Sequence, residues 1–316
     1  MKHATLDGGV KTGTFKLPPP GFDPFRASEA ELRMYGLPAV PDDPRHRERY
    51  RRVFNHLKRK LIFVEPVFQV NHDKFHGPPK RAVSEATETS SGWSGAVVRL
   101  PQGQSFRWIE GDFMVPNVDA PSDGSFYSAT WIGIDGDPGI QVMQAGVACD
   151  VQRTGSSLQP SFYLWWEWFP KPEVQIKNLP VSPGDLITIV LCSTQGQGST
   201  EGTVFFANRT VGMGTSAGLI APDNLTLLGR SAEWIVEAPN VGGITAKLAD
   251  YGEVFFSECE AVTNAGVIVP GGSGDNINMV DGTLSLISIG ELIAPTVVRC
   301  QYVGALPTYT GMREFR

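Results

Sequence analysis

All five histidines of this 316-residue chain (His3, His46, His56, His72 and His76) lie within residues 1–84. Residues 85–316 hold none, so that region cannot assemble a Ser-His-Asp triad, a Cys-His pair or an HExxH zinc site from its own side chains. Carboxylates, amides, hydroxyls, thiols and three lysines (Lys171, Lys177 and Lys247) remain. Carboxyl groups tuned by their surroundings are then the natural acids and bases. Glu167 stands among Trp165, Trp166, Trp168 and Phe169, and apolar surroundings raise a carboxyl pKa by disfavouring its charged form. On a strand, Trp165, Glu167 and Phe169 share one face while Trp166 and Trp168 share the other. Four aromatics in five positions exceed what one core face needs, which favours a cleft wall of indole rings around a carboxylate over a plain core strand. In the 231–237 segment, Glu233, Ile235 and Glu237 alternate with Ala232, Trp234 and Val236, and by itself this is an ordinary half-exposed strand. Val142 and Gln144 share a face in the same way, and a lone glutamine is more often structural than catalytic.

Other patterns carry little chemistry. Gly214-Thr215-Ser216-Ala217-Gly218 fits the G-x-S-x-G elbow, but no histidine follows residue 76 and the α/β alternation an elbow needs is absent. The five small residues read as a loop. Asp135-Gly136-Asp137 opens like a calcium loop without the closing acid, and a tight turn is the better reading. The four cysteines (Cys149, Cys192, Cys259 and Cys300) are widely spaced without a CxxC. Two disulfides and four buried thiols both remain open.

The elements that must position these groups are short strands. Alternating or apolar segments at 106–115, 128–134, 141–147, 162–169, 186–191, 203–208, 233–237 and 254–256 are separated by Gly, Pro, Asp and Ser clusters. That texture indicates an all-β sandwich or barrel. Two short helices precede it: Ser28 with Glu31 forms a capping box stopped by Gly36 and Pro38, and Asp43-Pro44 starts a strongly basic helix running to about Lys60. Residues 1–24 and 307–316 read as tails. The longest apolar runs fall far short of a membrane span, and Met1–Lys16 contains no apolar core of a secretory signal. The net charge of −6 hides +7 on residues 1–84 and −13 on the remainder. The basic arm is expected to bind its own acidic body rather than nucleic acid.

In order along the chain, Trp93-Ser94-Gly95-Ala96, Trp131 to Asp137, Gln144-Ala145-Gly146, Trp166 to Pro170, Gly184-Asp185 and Ala232 to Glu237 resemble the glutamic peptidases, or eqolisins. A later match, Phe256 to Cys259, is weaker. The resemblance covers roughly residues 90–305. It implies an antiparallel β-sandwich of the concanavalin A-like, lectin-like jelly-roll kind at 85–316, with residues 1–84 where the family carries a propeptide. It also implies an acid-acting endopeptidase with Glu237 and Gln144 as catalytic dyad. Trp131, Asp135 and Glu167 fall on positions that line or support the family's cleft, and Trp166 and Trp168 belong to the same aromatic wall. Two departures bear on tuning: the loop between Asp135 and Gln144 is one residue shorter than in fungal members, and Val147-Ala148-Cys149 replaces an acidic step. Polypeptide substrates are expected, with no metal or other cofactor, no nucleic acid, no membrane, a monomeric chain, and inhibition by residues 1–84. Export is implied by the family alone. Two rivals share lectin-like sandwiches: a glycoside hydrolase using Glu167 and Glu237, and a carbohydrate-binding domain stacking tryptophans on sugars. Gln144, which a glycosidase does not need, separates them.

Overall fold

The computed structural model of the chain describes residues 1–19, 21–55, 61–78, 81–84 and 87–306. Period-2 patterning puts successive side chains on opposite strand faces, and two antiparallel ladders result. The first runs Asp275–Val280, Trp93–Arg99, Ser231–Glu237, Gly124–Ile134, Val142–Thr154, Ser157–Phe169 and Glu173–Ile176. The second runs Val297–Leu306, Glu253–Thr263, Phe106–Met114, Leu186–Ser193, Glu201–Asn208 and Met213–Ile220. Leu286–Ala294 pairs with both Asp275–Val280 and Val297–Leu306 and joins the ladders.

The ladders stack face to face, forming the expected antiparallel β-sandwich. Ile132, Trp166 and Trp234 from the first meet Ile109, Ile189 and Phe206 from the second in the main core. The indole Nε1 of Trp234 crosses between them to donate to the Glu110 carbonyl at 2.9 Å, satisfying the one polar group that this large buried ring carries. All eight segments expected as strands lie within or overlap observed strands.

The N-terminal segment holds both expected helices. Helix α1, Glu29–Met34, starts with the capping box: Glu31 N donates to Ser28 Oγ at 3.3 Å and Ser28 N to Glu31 Oε2 at 2.8 Å. Helix α2, Pro44–Asn55, starts where Asp43 Oδ1 accepts from Arg45 N at 2.9 Å and His46 N at 3.0 Å. The basic stretch Lys58, Arg59, Lys60 and the 307–316 tail lie outside the described residues.

Three expectations are corrected or closed. Residues 1–24 are not a bare tail, because Lys2–Thr5 pairs with Lys11–Thr14, which in turn adds to the free edge of Met213–Ile220. The 214–218 stretch is a strand rather than a loop. Its small residues serve close approach: a Cβ on Gly218 would lie 2.6 Å from the Gly13 Cα. The four cysteines are free thiols. Beyond these, Ile62–Phe63 runs parallel to Met213–Gly214 and Phe68–Asn71 pairs with Glu173–Ile176, so the N-terminal segment caps one edge of each ladder.

Gly218→Val should wedge Lys11–Thr14 off its edge. Overpacking costs about 1–3 kcal/mol, and at roughly 2–4 °C per kcal/mol calorimetry should show a melting midpoint several degrees lower. An unchanged midpoint would contradict the close packing.

Candidate active site

Antiparallel register decides which side chains emerge together on the outer face of the first ladder. Val97, Glu233, Gly133, Gln144 and Glu167 form one row across five strands. Ile235, Trp131, Gly146 and Trp165 form the next, and Trp93, Glu237, Ala129, Ala148 and Tyr163 the third. Gly133 gives the Trp131 ring its space, since a Cβ there would sit 2.9 Å from Trp131 Cζ3, and Gly146 lets the neighbouring strand approach, since a Cβ there would sit 2.5 Å from Trp131 Cβ. So placed, Trp131 Nε1 donates to Glu237 Oε2 at 2.9 Å, and Trp93 Nε1 donates to Glu237 Oε1 at 3.2 Å. Two rigid indoles therefore fix the carboxylate's orientation.

The chain's own N-terminal segment crosses this face. Lys74–Phe75 pairs with Asn240–Val241, and His76 enters the middle of the cluster fully buried. Its imidazole stacks on Trp165 with centroids 3.7 Å apart, meets Glu237 Oε2 at 2.8 Å through Nδ1, and meets Glu173 Oε2 at 2.8 Å through Nε2. The backbone is held as well. His76 N donates to Glu167 Oε2 at 3.0 Å, and the side-chain amide of Gln144 donates both to the His76 carbonyl and, at 2.7 Å, to Glu167 Oε2. Two residues earlier, Lys74 Nζ donates to Asp150 at 2.9 Å and Tyr163 Oη at 2.9 Å, with Glu173 at 3.9 Å.

Burial and pairing set the charges. Burial alone would push His76 toward its neutral form, but Glu237 and Glu173 more than offset it and hold its pKa up at about 9. Burial raises the Glu167 pKa well above its ordinary value, with His76 opposing and Glu237 reinforcing. Glu173 goes the other way: burial raises it, yet Lys74 and His76 outweigh burial and leave it lowered.

The structure thus brings Glu237, Gln144, Glu167 and Trp131 to one place. Gln144 and Glu237 are 0% and 2% exposed, whereas their strands were expected to be open to solvent; the crossing segment covers them. Asp135 lies apart from the cluster. It adopts a positive φ of 71° and accepts from Leu228 N at 2.7 Å and Arg230 N at 2.8 Å, bracing the loop that leads into Ser231–Glu237, and burial raises its pKa to about 6. Trp166 and Trp168 face the core between the ladders, because alternation that turns Glu167 outward turns its neighbours inward. They form no wall of the cleft; Trp165 does. Sequence reading missed Glu173, Asp150, Tyr163, Lys74 and His76. The one usable signal was the spacing of Lys74 and His76, which puts two basic side chains on one face of an extended segment. Among the described residues no group of three or more His, Cys, Asp or Glu could hold a metal ion, and no helix is long and apolar enough to cross a membrane.

The model of the peptidase A4 family matches residues 91–302, two thirds of the chain. This chain belongs to that family. It is similar to aspergillopepsin-2 of Aspergillus niger, 29% identical over 205 residues covering 58% of this chain and 68% of the relative. It is also similar to scytalidopepsin B of Scytalidium lignicola, 24% identical over 241 residues covering 72% and 83%. Among solved structures, a scytalido-glutamic peptidase matches with TM-score 0.57 at 24% identity, over 67% of this chain and 98% of that one. The aspergilloglutamic peptidase of Aspergillus niger matches with TM-score 0.50 at 25% identity, over 56% and 99%. The chain is accordingly a glutamic endopeptidase, a hydrolase whose substrates are polypeptides. The carbohydrate alternatives fall with that assignment.

The charged contacts of His76 and Glu173 define a pH window. The His76 pKa is raised, so the stability it contributes is complete below about 6.5 and lost as pH climbs through about 9. The Glu173 pKa is lowered, so its contribution is present above about 4.5 and lost as pH falls further. Hydrogen exchange at Phe68–Asn71 and His76 should therefore be slowest between about pH 4.5 and 6.5, once corrected for intrinsic rates. A protection that keeps rising toward pH 3 would refute the window.

Proposed function

We propose that the chain hydrolyses peptide bonds in acid with Glu237 and Gln144 as its catalytic dyad, and that residues 1–84 inhibit it through the stretch crossing the cleft. The observation that carries this reading is the seating of His76: a peptide carbonyl rests on the Gln144 amide while the group beside it occupies Glu237. A substrate's scissile carbonyl would take the first position and the attacking water the second.

The chemistry follows from that arrangement. Glu237, aimed by Trp131 and Trp93, accepts a proton from water as the oxygen attacks the carbonyl carbon. The negative charge that forms on the carbonyl oxygen is met by the Gln144 N–H, already pointed there and so needing no reorganisation. Glu237, now protonated, gives its proton to the leaving amine as the C–N bond breaks, and returns to a carboxylate. Glu167 does not exchange protons in this scheme. Its Oε2 accepts from Gln144 Nε2 and keeps the amide's donor side toward the substrate. Acid operation is consistent with a carboxyl group cycling best near its own pKa.

Inhibition requires the imidazole to stand where water must be. The cationic His76 and Lys74 are held by Glu237, Glu173 and Asp150; the Glu173 pKa is lowered by Lys74 and His76 against burial, so its hold on the strap is lost as pH falls. The +7 and −13 halves of the chain add a longer-range pull, screened by salt beyond about 8 Å.

Gln144→Ala should reduce peptide hydrolysis by about 10²–10³-fold, the usual cost of one oxyanion donor, and Glu237→Gln by more, with circular dichroism unchanged in both. Full activity in folded Gln144→Ala would remove the amide from the mechanism. Glu167→Ala should keep part of its activity with a displaced pH profile; if it is as inactive as Glu237→Gln, Glu167 takes part in the chemistry directly.

A further inference from the structure

We infer that the N-terminal segment is two parts with different fates: residues 1–64 are a permanent piece of the fold, and only the strap from residue 65 to residue 78 is displaced to open the cleft. The naming of the strap rests on the inhibitory reading above; the permanence of residues 1–64 does not.

The body is shaped for the first part. On the outer face of the second ladder, Trp108, Val190, Phe205 and Val262 form a second apolar cluster whose cover is Tyr50 and Phe54 of α2. Phe54 lies 5.4 Å from the Phe205 ring and Tyr50 6.3 Å from the Trp108 ring. Without this cover, an aromatic patch on a β-sheet would face water, the kind of surface soluble monomers rarely expose. The free edge of the same ladder is closed by Lys11–Thr14 and Ile62–Phe63, and an uncovered edge strand invites pairing with another chain. The body's Gly214 and Gly218 leave the spaces that Leu61 and Gly13 fill.

Each part adds ion pairs to these contacts, but only the first sets them beside a broad aromatic cover. Arg49 of α2 is buried and paired with Glu110, Glu258 at 3.0 Å and Glu260 at 2.6 Å; Arg52 reaches Glu258 at 3.7 Å. Asp112, the next acid on the same strand face, is neutralised by Arg209 at 2.8 Å. His46 of the same helix lies edge-on to Trp108 at 4.9 Å, and burial, with Arg107 and Arg49 nearby, lowers its pKa to about 4, so stronger acid adds a charge here while the apolar cover stays in place. The strap's apolar contacts are fewer: Phe68 and Val70 pack half-buried on the main core, with Phe68 5.9 Å from the Trp166 ring, while its two buried side chains, Lys74 and His76, both sit among carboxylates.

The test replaces residues 85–86 with the recognition sequence of a site-specific protease in the full-length Glu237→Gln chain, so that cleavage does not depend on its own activity. After cutting at neutral pH, native mass spectrometry and size exclusion are run at pH 7 and pH 3.5, with hydrogen exchange. The expected result is a 1:1 complex of the two pieces at both values, with exchange at pH 3.5 rising far more in Phe68–Asn71 than in Pro44–Asn55. Release of the N-terminal piece from a body whose melting transition is unchanged would overturn the inference. Release accompanied by unfolding or precipitation of the body would support it, because it shows that the body needs its cover. In the uncut chain, Phe54→Ala should lower the melting midpoint by about 5–10 °C and His76→Ala by clearly less; the reverse order would also overturn it. None of these readouts needs the chain's own peptidase activity, so they separate this inference from the dyad.

Discussion

The packing of this peptidase's carboxylate cluster depends on one imidazole. His76 lies flat against Trp165 and bonds at both nitrogens to buried glutamates. Glu237 and Glu173 are out of water in this state, and a buried carboxylate is tolerated only when it is paired and hydrogen-bonded. The cation that makes the site stable is also the group that fills it. In the proposed reading, stability and inhibition are the same contact, and conditions that open the cleft also let solvent reach the carboxylates.

The sheet supplies the precision. An antiparallel ladder fixes neighbours across strands by register, so Gln144 and Glu167 emerge side by side, with Glu237 two rows away, without any loop having to hold them. Gly133 gives the Trp131 ring its room and Gly146 lets the neighbouring strand approach, and Trp131 so placed donates to Glu237. A one-residue slip would send every one of these groups into the core and turn Trp166 and Trp168 outward. The large inward tryptophans make that slip costly, so the core locks the site's register.

Much of this was legible in the sequence. Period-2 alternation around Glu167 and Glu237, the capping box at Ser28 and the Asp43-Pro44 helix start are local patterns, and local patterns survive folding. The family resemblance added the grouping of Gln144 with Glu237, which no spacing could supply, since the two lie far apart in the chain and meet only through the strand Gly124–Ile134. What was illegible depended on contacts between distant segments. The small residues at 214–218 looked like a loop because their reason for being small is Gly13 and Leu61. His76 looked irrelevant to a region without histidines because its partners lie 97 and 161 residues away. Trp166 and Trp168 were assigned to the cleft on aromatic density, although alternation placed them on the face opposite Glu167.

The central claim is that the strap holds the Glu237–Gln144 cleft as a substrate would, with His76 as its anchor. The most direct test is inhibition in trans: a synthetic peptide spanning residues 68–78 is titrated near pH 5 into the chain whose own strap carries His76→Ala, with and without His76→Ala in the peptide. The account predicts competitive inhibition by the parent peptide. It also predicts loss of roughly 10²–10⁴-fold in affinity on removing the imidazole, the scale set by about 3–5 kcal/mol for breaking a buried ion pair. Non-competitive inhibition, or equal potency of the two peptides, would contradict it.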